Sequence, residues 1–381
     1  MNMFSQLFVL MIISLASWTC VASNPPSLAE SAKFENFSGC ETLLVEAIQP
    51  IRMHVLATNI YHLFQTGLYD YLIKNPNQTT SQIAQHFHFD SARLDGFFEY
   101  LSNENILKKN GQEVSLTPFG HSYEKFRGWY TLLIGAYSQT FAQVGEKLKL
   151  GSGFATRDST KVGIGSCAMS HYNAIPLQKE LIALVPGNEK CLLDLGCGNA
   201  GCLVETVRDM PGLFGVGVEP DAGAFEDAQK SVNQFNLGSR ITLINDSAVH
   251  APQMVKSLEH RPNITVISFV LHEILSTQGE DGVKKFLLDI FNQFPDMHMI
   301  VIEVDVKKTD RNFMGQGYAQ AYFNPYYLIH DFTDQKLMPK EYWLNLFTSL
   351  NLELVAFRTV DHQVDSTDME MGFLLRKKLS Q

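Results

Sequence analysis

The chain has 381 residues, which is enough for two domains with separate hydrophobic cores. Hydrophobic residues make up 45% of it and charged residues 18%, a composition that excludes an intrinsically disordered chain. The formal net charge of −10 argues against a nucleic-acid partner, because phosphate binding needs clustered Lys and Arg, and it favours a small-molecule ligand.

Residues 1–23 form an apolar leader that resembles a signal peptide. The apolar run over 7–22 has the length of a secretory h-region, and small residues follow where cleavage could occur. The run is too short for a stable membrane span. Residues 1–6 carry no Lys or Arg, unlike a typical signal peptide, so a translation start at Met11 is an alternative.

The pattern of residues 24–125 predicts a helical, winged-helix-like dimerisation domain. Apolar residues at helical spacing over 41–72 are followed by two short helical stretches and by a hairpin that turns at Asn110-Gly111. Helix, helix and hairpin in this order are typical of a winged-helix domain.

This front domain is expected to form a homodimer and not to bind DNA. The stretch over 41–72, in which Pro50 and Gly67 predict breaks, carries more apolar residues than one buried stripe needs. The second short helix carries Arg93 among three acidic residues, which makes a poor surface for recognising DNA.

Residues 126–185 are expected to form connecting helices that roof a pocket, and residues 186–381 a second domain. In this domain an apolar strand reaches Asp194, and Gly196 and Gly198 follow in a turn that opens a helix. The glycines allow a tight turn and a close approach of a ligand to the backbone. A dinucleotide fits the glycine spacing too, but the carboxylate of Asp194 would repel a pyrophosphate and suits an ammonium group.

The segment resembles motif I of class I S-adenosylmethionine (SAM)-dependent methyltransferases, and the following strands agree with that resemblance. Glu219 ends a second predicted strand about 20 residues beyond the glycines, where a carboxylate holds ribose hydroxyls. A third strand leads to Asp246 and Ser247, which could bind adenine. With two further strands over 264–270 and 299–304, strands and helices alternate, which predicts an α/β fold with a Rossmann-like doubly wound sheet.

At the end of the fourth predicted strand, the segment Val270-Leu271-His272-Glu273 resembles the stretch that carries the general base in small-molecule O-methyltransferases, including those of plants. The resemblance implies that His272 takes a proton from a substrate hydroxyl, an effect worth about 10² to 10⁴ in rate. It also implies a homodimer built by the front helices, which roof the substrate pocket.

A second histidine, His330, precedes the last predicted helix, where these folds place residues of the substrate pocket. Two neutral imidazoles that face one pocket make half of a metal site and leave positions for a chelating substrate. His272 and His330 match the iron ligands of a related bacterial enzyme class, the phenylpyruvate C-methyltransferases. That resemblance implies a divalent or ferric ion, with iron favoured, and it implies that Arg157 grips the substrate carboxylate while Trp129 and Glu273 lie in the pocket.

The chain is also similar to the 2-ketoarginine methyltransferases, through segments that are spread along the sequence. These segments are Arg127-Gly128-Trp129-Tyr130-Thr131, Gly163-Ile164-Gly165-Ser166-Cys167, Ser170-His171-Tyr172, Val270-Leu271-His272-Glu273, Ile302-Glu303-Val304-Asp305 and Asn324-Pro325-Tyr326-Tyr327. A substrate of this kind has a guanidinium group that needs a buried acid. The candidates from the sequence are Glu273, Glu303, Asp305 and Asp331.

The resulting hypothesis is a SAM-dependent methyltransferase that methylates the β-carbon of an α-keto acid through a metal-stabilised enolate. One alternative is a metal-independent small-molecule O-methyltransferase with His272 as general base. An alternative of another class is a winged-helix regulator that senses SAM. Because SAM is a cytosolic metabolite, a cytoplasmic catalytic body is favoured, although the leader leaves export and membrane tethering open.

Overall fold

The computed structural model describes residues 40–247, 250 and 254–378. The predicted leader over 1–23 therefore lies outside the described residues. Within the described residues, the part up to Val55 and the part from Leu56 onward form two separate units. Among the described residues, no helix is both long enough and apolar enough to cross a membrane.

The first described element is helix α1, Cys40–Gln65, which has no break at Pro50. The break expected there is wrong, because the loss of one backbone donor does not end a helix of 26 residues. The break expected at Gly67 is confirmed, since this residue takes a left-handed conformation with φ +80°. Large exposed apolar side chains lie on the part of α1 before Leu56: Leu43, Leu44, Val45, Ile48, Ile51, Met53 and Val55.

The helix, helix and hairpin predicted after α1 are present. The elements are α2 (Leu68–Lys74), β1 (Gln78–Thr79), α3 (Thr80–Phe87), α4 (Ser91–Asn103), β2 (Leu107–Asn110) and β3 (Glu113–Leu116). The three strands form an antiparallel sheet in the order β1-β3-β2. Thr79 and Gln82 form a capping box that starts α3, and Gly111 supplies the positive φ of the hairpin turn.

A helical segment connects this sheet to the larger one. Its α-helices are α5 (Pro118–Ser122), α6 (Arg127–Tyr130), α7 (Ser138–Lys147), α8 (Ser159–Ser170) and α9 (Ala174–Leu184). A π-helical stretch, Thr131–Ala136, follows α6 and packs against α8. Gly165 on α8 lies so close to Leu132 that a Cβ atom would be 2.7 Å from the Leu132 backbone nitrogen, and therefore only glycine fits this crossing.

The larger sheet has seven strands in the order β6-β5-β4-β7-β8-β10-β9. Its strands are β4 (Lys190–Leu195), β5 (Leu213–Val218), β6 (Ile241–Ile244), β7 (Ile264–Ser268), β8 (His298–Val304), β9 (Leu352–Thr359) and β10 (Glu370–Lys377). The first five are parallel to one another, and β10 and β9 add an antiparallel edge. The Rossmann-like doubly wound α/β fold predicted from the sequence is confirmed.

Helices cover both faces of this sheet. They are α10 (Gly201–Asp209), α11 (Ala222–Gln234), α12 (Leu271–Gln293, interrupted at Gly279), α13 (Arg311–Met314), α14 (Asn324–Phe332) and α15 (Lys340–Ser349). One core contains Leu181 and Leu203, and another contains Leu287 and Trp343. Strands β9 and β10 are additional to the five predicted ones. Charges near their ends and Gly372 inside β10 weaken the apolar pattern that predicts a strand.

Candidate functional site

The carboxyl end of β4 opens into a cavity of about 690 Å³, a size that suits a cofactor. Asp194, Gly196 and Gly198 line it, as predicted from the sequence. Both glycines have positive φ values, +79° and +55°, which an L side chain rarely adopts. They turn the chain from β4 into α10, whose first residue, Gly201, also lines the cavity.

Burial and the negative charge of Glu219 raise the pKa of Asp194 to about 6. No basic side chain is among the causes of this shift. A positively charged ligand in the cavity would stabilise the carboxylate, because an opposite charge favours the ionised form. Asp194 can therefore receive an ammonium group.

The other three expected cofactor residues lie at the neighbouring strand ends but not on the cavity wall. Glu219 follows β5 and accepts hydrogen bonds from the backbone N–H groups of Gly198, at 2.9 Å, and Asp221, at 2.9 Å. Asp246 follows β6 and accepts from the backbone N–H of Ser247. The contact of Glu219 with Gly198 ties the second strand end to the glycine turn.

Replacing Asp194 by Asn should weaken SAM binding and stabilise the ligand-free protein at neutral pH. The pKa of Asp194 is raised in the fold, from about 3.9 for an unperturbed Asp, so the free energy of unfolding falls as the pH rises from about 4 to 6. Asn carries no charge and avoids this loss, which reaches about 3 kcal/mol above pH 6. Urea unfolding at pH 4 and pH 7.5 measures it, and an equal effect of the substitution at both pH values would contradict the prediction.

A second cavity of about 200 Å³ lies beside the first. The two share Gly163, Ser170 and Ser268 as lining residues, so α8 and the end of β7 separate them. The remaining lining residues are Leu132, Tyr137, Val162, Ser166, Met169, Asn173, Phe269, His272, Glu273, Val304, Tyr322, Tyr326, His330, Gln335 and Glu370. We call this space the substrate cavity.

His272 stands in the first turn of α12 with its side chain 2% exposed. Its Nδ1 is 2.8 Å from Oε2 of Glu303, on β8. Oε1 of Glu303 accepts from the backbone N–H groups of Leu271 and His272, so the carboxylate fixes both the ring and the start of the helix. With Nδ1–H donated to Glu303, the lone pair of His272 is on Nε2, the nitrogen opposite Glu303.

His330, near the end of α14, is held in the same way. Its Nδ1 is 2.7 Å from the carbonyl oxygen of Tyr326, which can only accept, so Nε2 again carries the lone pair. Burial, together with the positive charge of Arg157 and the charge that His272 would carry if protonated, holds the pKa of His330 well below its usual value, and the ring stays neutral. The two imidazole rings are 5.4 Å apart between centroids and both line the substrate cavity.

The two imidazoles are suited to be metal ligands, but two protein ligands alone do not complete a metal site. Across residues 40–247, 250 and 254–378, no group of three or more His, Cys, Asp or Glu side chains is arranged to hold a metal ion. The acceptors on the Nδ1 atoms, Glu303 and the Tyr326 carbonyl, are of the kind that orient metal-binding histidines. A metal ion here would need its further ligands from outside the chain.

Arg157 lies beside the histidines, where its guanidinium group already has acidic partners. It donates to Oε1 of Glu273 at 2.9 Å and lies 3.4 Å from Asp334. Gln335 donates to the same oxygen of Glu273 at 3.0 Å, and its amide nitrogen is 3.5 Å from Nε2 of His272. Of the residues expected to contact substrate, Glu273 therefore lines the cavity, and Arg157 lies directly behind it.

Trp129 does not line the substrate cavity. It donates Nε1–H to the hydroxyl of Tyr318 at 2.9 Å. Tyr318 in turn stacks on Tyr322, which is a lining residue, with 5.2 Å between ring centroids. Trp129 is thus two residues away from the cavity and supports its aromatic wall.

The acid at the start of β10 is a lining residue that was not predicted from the sequence. Glu370 is 4% exposed and lines the substrate cavity. Its signal in the sequence is an isolated carboxylate inside the apolar run Met369-Glu370-Met371. The side chain of Asn173 binds one of its oxygens at 2.7 Å.

No family model matches the chain. The 2-ketoarginine methyltransferase of Streptomyces arginensis is 36% identical over 343 residues, which are 89% of this chain and 98% of that protein.

Two solved structures share the fold. The mitomycin 7-O-methyltransferase has a TM-score of 0.62 at 12% identity, over 90% of this chain and 100% of that one. The N,N-8-amino-8-demethyl-D-riboflavin dimethyltransferase of Streptomyces davawensis has a TM-score of 0.60 at 15% identity, over 88% and 99%. At such low identities the likeness concerns the fold alone.

Proposed function

The chain belongs to the family of class I SAM-dependent methyltransferases that includes 2-ketoarginine methyltransferase, and on this basis we propose its reaction. The protein transfers a methyl group from SAM to the β-carbon of an α-keto acid. The observation that carries the proposal is the pair of His272 and His330. Both rings line one cavity, and an acceptor holds the Nδ1 atom of each. One such imidazole suffices for a general base, whereas a metal site for a chelating keto acid needs two.

SAM would occupy the larger cavity, with its ammonium group on Asp194 and its backbone contacts at the glycine turn. The residues assigned to SAM are Asp194, Gly196, Gly198, Glu219, Asp246 and Ser247. Bound there, SAM supplies an electrophilic methyl group. The shared wall of the two cavities, with Gly163 and Ser170 on α8, leaves the methyl donor and the acceptor adjacent.

A divalent or ferric ion, with iron favoured, would be held by Nε2 of His272 and of His330. Both nitrogens fit, because each ring keeps its lone pair on Nε2 and imidazole is a good ligand for iron and similar ions. An ion bound there would supply Lewis acidity that makes the C–H bond beside the keto group more acidic, so that its proton would pass to water. The carbon would then take the methyl group of SAM, which would leave as S-adenosylhomocysteine. The remaining ligand positions are left for the carboxylate and keto oxygens of the substrate.

The residues of the chain orient the substrate and its surroundings. Glu303 keeps His272 in one tautomer, and the Tyr326 carbonyl does the same for His330. Arg157 would bind the substrate carboxylate, where a charge-assisted pair is strong. Because Arg157 lies behind Glu273 and not on the cavity wall, one of its two contacts, at 2.9 Å to Glu273 or at 3.4 Å to Asp334, would have to open for a substrate carboxylate to reach it.

The second candidate function is a metal-independent O-methyltransferase, and the contact between His272 and Glu303 favours it. An imidazole whose Nδ1–H is donated to a buried carboxylate is the arrangement of a general base with its orienting acid. In that reaction Nε2 of His272 would take the proton of a substrate hydroxyl. His330 would then have no chemical role.

Incubation of the purified protein with labelled SAM and a panel of α-keto acids, phenols and catechols tests the proposal. We expect label in an α-keto acid, with the new methyl group on the carbon next to the keto group in the NMR spectrum. A methyl group on a phenol or catechol oxygen, with no labelled keto acid, would replace the proposal by the second candidate.

We also propose that the protein is a homodimer. Seven large apolar side chains between Leu43 and Val55 are at least 40% exposed, and water is an unfavourable environment for so much apolar surface on one helix. Light scattering should therefore give about twice the chain mass of 42.9 kDa. The double substitution Leu43→Glu and Ile51→Glu should lower the mass to that of one chain. A single-chain mass for the unsubstituted protein would refute the dimer.

A further inference from the structure

One carboxylate oxygen in the substrate cavity has no hydrogen-bond partner among the residues that the structure describes. Oε1 of Glu370 is buried and unpaired, while Oε2 accepts from the side-chain amide of Asn173 at 2.7 Å. Asn173 is itself 6% exposed, and its side-chain oxygen Oδ1 accepts from the backbone N–H of Ala174. The side chain of Asn173 is therefore fixed, and it holds Glu370 in one position. An unpaired buried acceptor is costly unless a ligand completes it.

Three of the other acids considered for the guanidinium group have partners. Glu303 accepts from His272 and from two backbone N–H groups. Asp305 accepts from the backbone of Lys340 and does not line the substrate cavity, and Asp331 binds Lys308 with both oxygens on the surface.

The remaining acid, Glu273, lines the cavity but faces Arg157. Its Oε1 accepts from Arg157 and from Gln335, so a second cation at this place would meet the positive charge of Arg157. Among the acids that line the substrate cavity, Glu370 is the one without a nearby cationic side chain as partner.

Aromatic rings line the same cavity as Glu370. Tyr322 and Tyr326 line the same cavity, and the charge of Glu370 is among the causes that raise their pKa values well above 10. Tyr318 stacks on Tyr322 and is also affected by this charge. Aromatic faces attract cations, and a planar guanidinium group stacks well on them.

We infer that Glu370, held by Asn173, binds the positively charged end of the substrate and selects α-keto acids with a terminal guanidinium group. The inference rests on the proposed function, because it assigns the far end of the α-keto acid whose reacting end lies at His272 and His330. Oε1 accepts an N–H of the guanidinium group, and Tyr322 and Tyr326 contact its faces. Glu370 is a specificity residue and takes no part in the methyl transfer itself.

The raised pKa of Glu370 is consistent with a carboxyl group that lacks a cationic partner until a ligand binds. Burial and the negative charge of Asp365 raise it to about 8, and the hydrogen bond from Asn173 lowers it. The negative charge of Glu370 contributes to the raised pKa values of Tyr318, Tyr322 and Tyr326, and none of these side chains carries a positive charge. A bound guanidinium group would stabilise the carboxylate, so ionisation of Glu370 is coupled to binding of the cationic substrate.

The test compares a guanidino α-keto acid, 5-guanidino-2-oxopentanoate, with its neutral ureido analogue of nearly the same shape. For the unsubstituted protein we expect kcat/KM to be at least about 30-fold higher for the guanidino compound, because a buried charge pair is worth about 2 kcal/mol or more. For Glu370→Gln we expect this ratio to fall to about one, by loss on the guanidino compound alone. Glu341→Gln, an exposed acid on α15, is the matched control and should keep the original ratio.

The ratio in the unsubstituted protein needs no variant, so the test stands even if Glu370→Gln does not fold. Equal kcat/KM values for the two compounds would overturn the inference and leave the proposed function in place. A ratio that stays high in folded Glu370→Gln would also overturn it, because another residue would then select the cation. If no α-keto acid is methylated at all, the proposed function fails, and the assignment of Glu370 fails with it.

Discussion

Replacing His330 by Ala is expected to remove bound metal and to lower kcat/KM for methyl transfer to an α-keto acid by at least about 10³-fold. The structure provides two imidazole nitrogens, on His272 and His330, and one alone holds a divalent ion weakly. Loss of a Lewis acid costs several kcal/mol of transition-state stabilisation, and each 1.36 kcal/mol is a factor of about ten in rate. His272→Ala should have the same effect on metal content and on activity.

Metal analysis of the purified variants and a rate assay with an α-keto acid check this prediction together. His121→Ala, a substitution of an exposed histidine at the end of α5, is the matched control and should keep both metal and activity. A strong chelator should abolish the methyl-transfer activity of the unsubstituted protein, and added Fe²⁺ should restore that activity. If His330→Ala stays active and chelators do nothing, His272 is a plain general base and the C-methylation mechanism is wrong.

Replacing Glu303 by Gln is expected to lower kcat by about 10² to 10⁴ while the fold persists. The Gln carbonyl oxygen can still accept from the backbone N–H groups of Leu271 and His272, but its NH₂ group would face Nδ1 of His272. Nδ1 must then accept, so the ring proton moves to Nε2 on the cavity side. An Nε2–H group can neither bind a metal ion nor take a proton, so both candidate reactions would fail.

The position of the ring proton distinguishes this cause from general damage. ¹⁵N NMR of the imidazole should show Nε2 protonated in Glu303→Gln and unprotonated in the parent, at equal resistance to thermal unfolding. Full activity in a variant whose tautomer has changed would show that the lone pair on Nε2 is not needed. Glu303→Ala, by contrast, leaves buried donors without an acceptor and should cost about 3 to 5 kcal/mol of stability.

The sequence was sufficient to predict the parallel part of the sheet and the glycine turn. Apolar runs, acids at their ends and glycines at Gly196 and Gly198 are local signals, and each acts within a few residues of its own position. His272 could be found in the same way, because it begins a helix directly after an apolar strand. Its place beside His330 followed only from resemblance, since the two are 58 positions apart.

The rest of the site depends on contacts between distant segments. The partner of His272 is Glu303, and this contact gives no support to Glu303 as one of the four candidate acids for a guanidinium group. The contact of Trp129 with Tyr318 likewise gives no support to its expected place in the pocket. Glu370 reaches the cavity because β10 pairs antiparallel with β8, so that Glu370 lies opposite Val304. A pattern of alternating parallel strands and helices does not predict such a pairing, and the acid it delivers was missed.

We expect the wall that the two cavities share to couple the binding of one ligand to the binding of the other. Gly163, Ser170 and Ser268 contact both spaces, so a ligand that orders this wall from one side changes the free energy of binding on the other side. Such cooperativity is reciprocal: the factor by which one ligand tightens the other must equal the factor in the reverse direction. A substitution on the wall, such as Gly163→Ala, therefore alters both affinities even though it removes no polar contact.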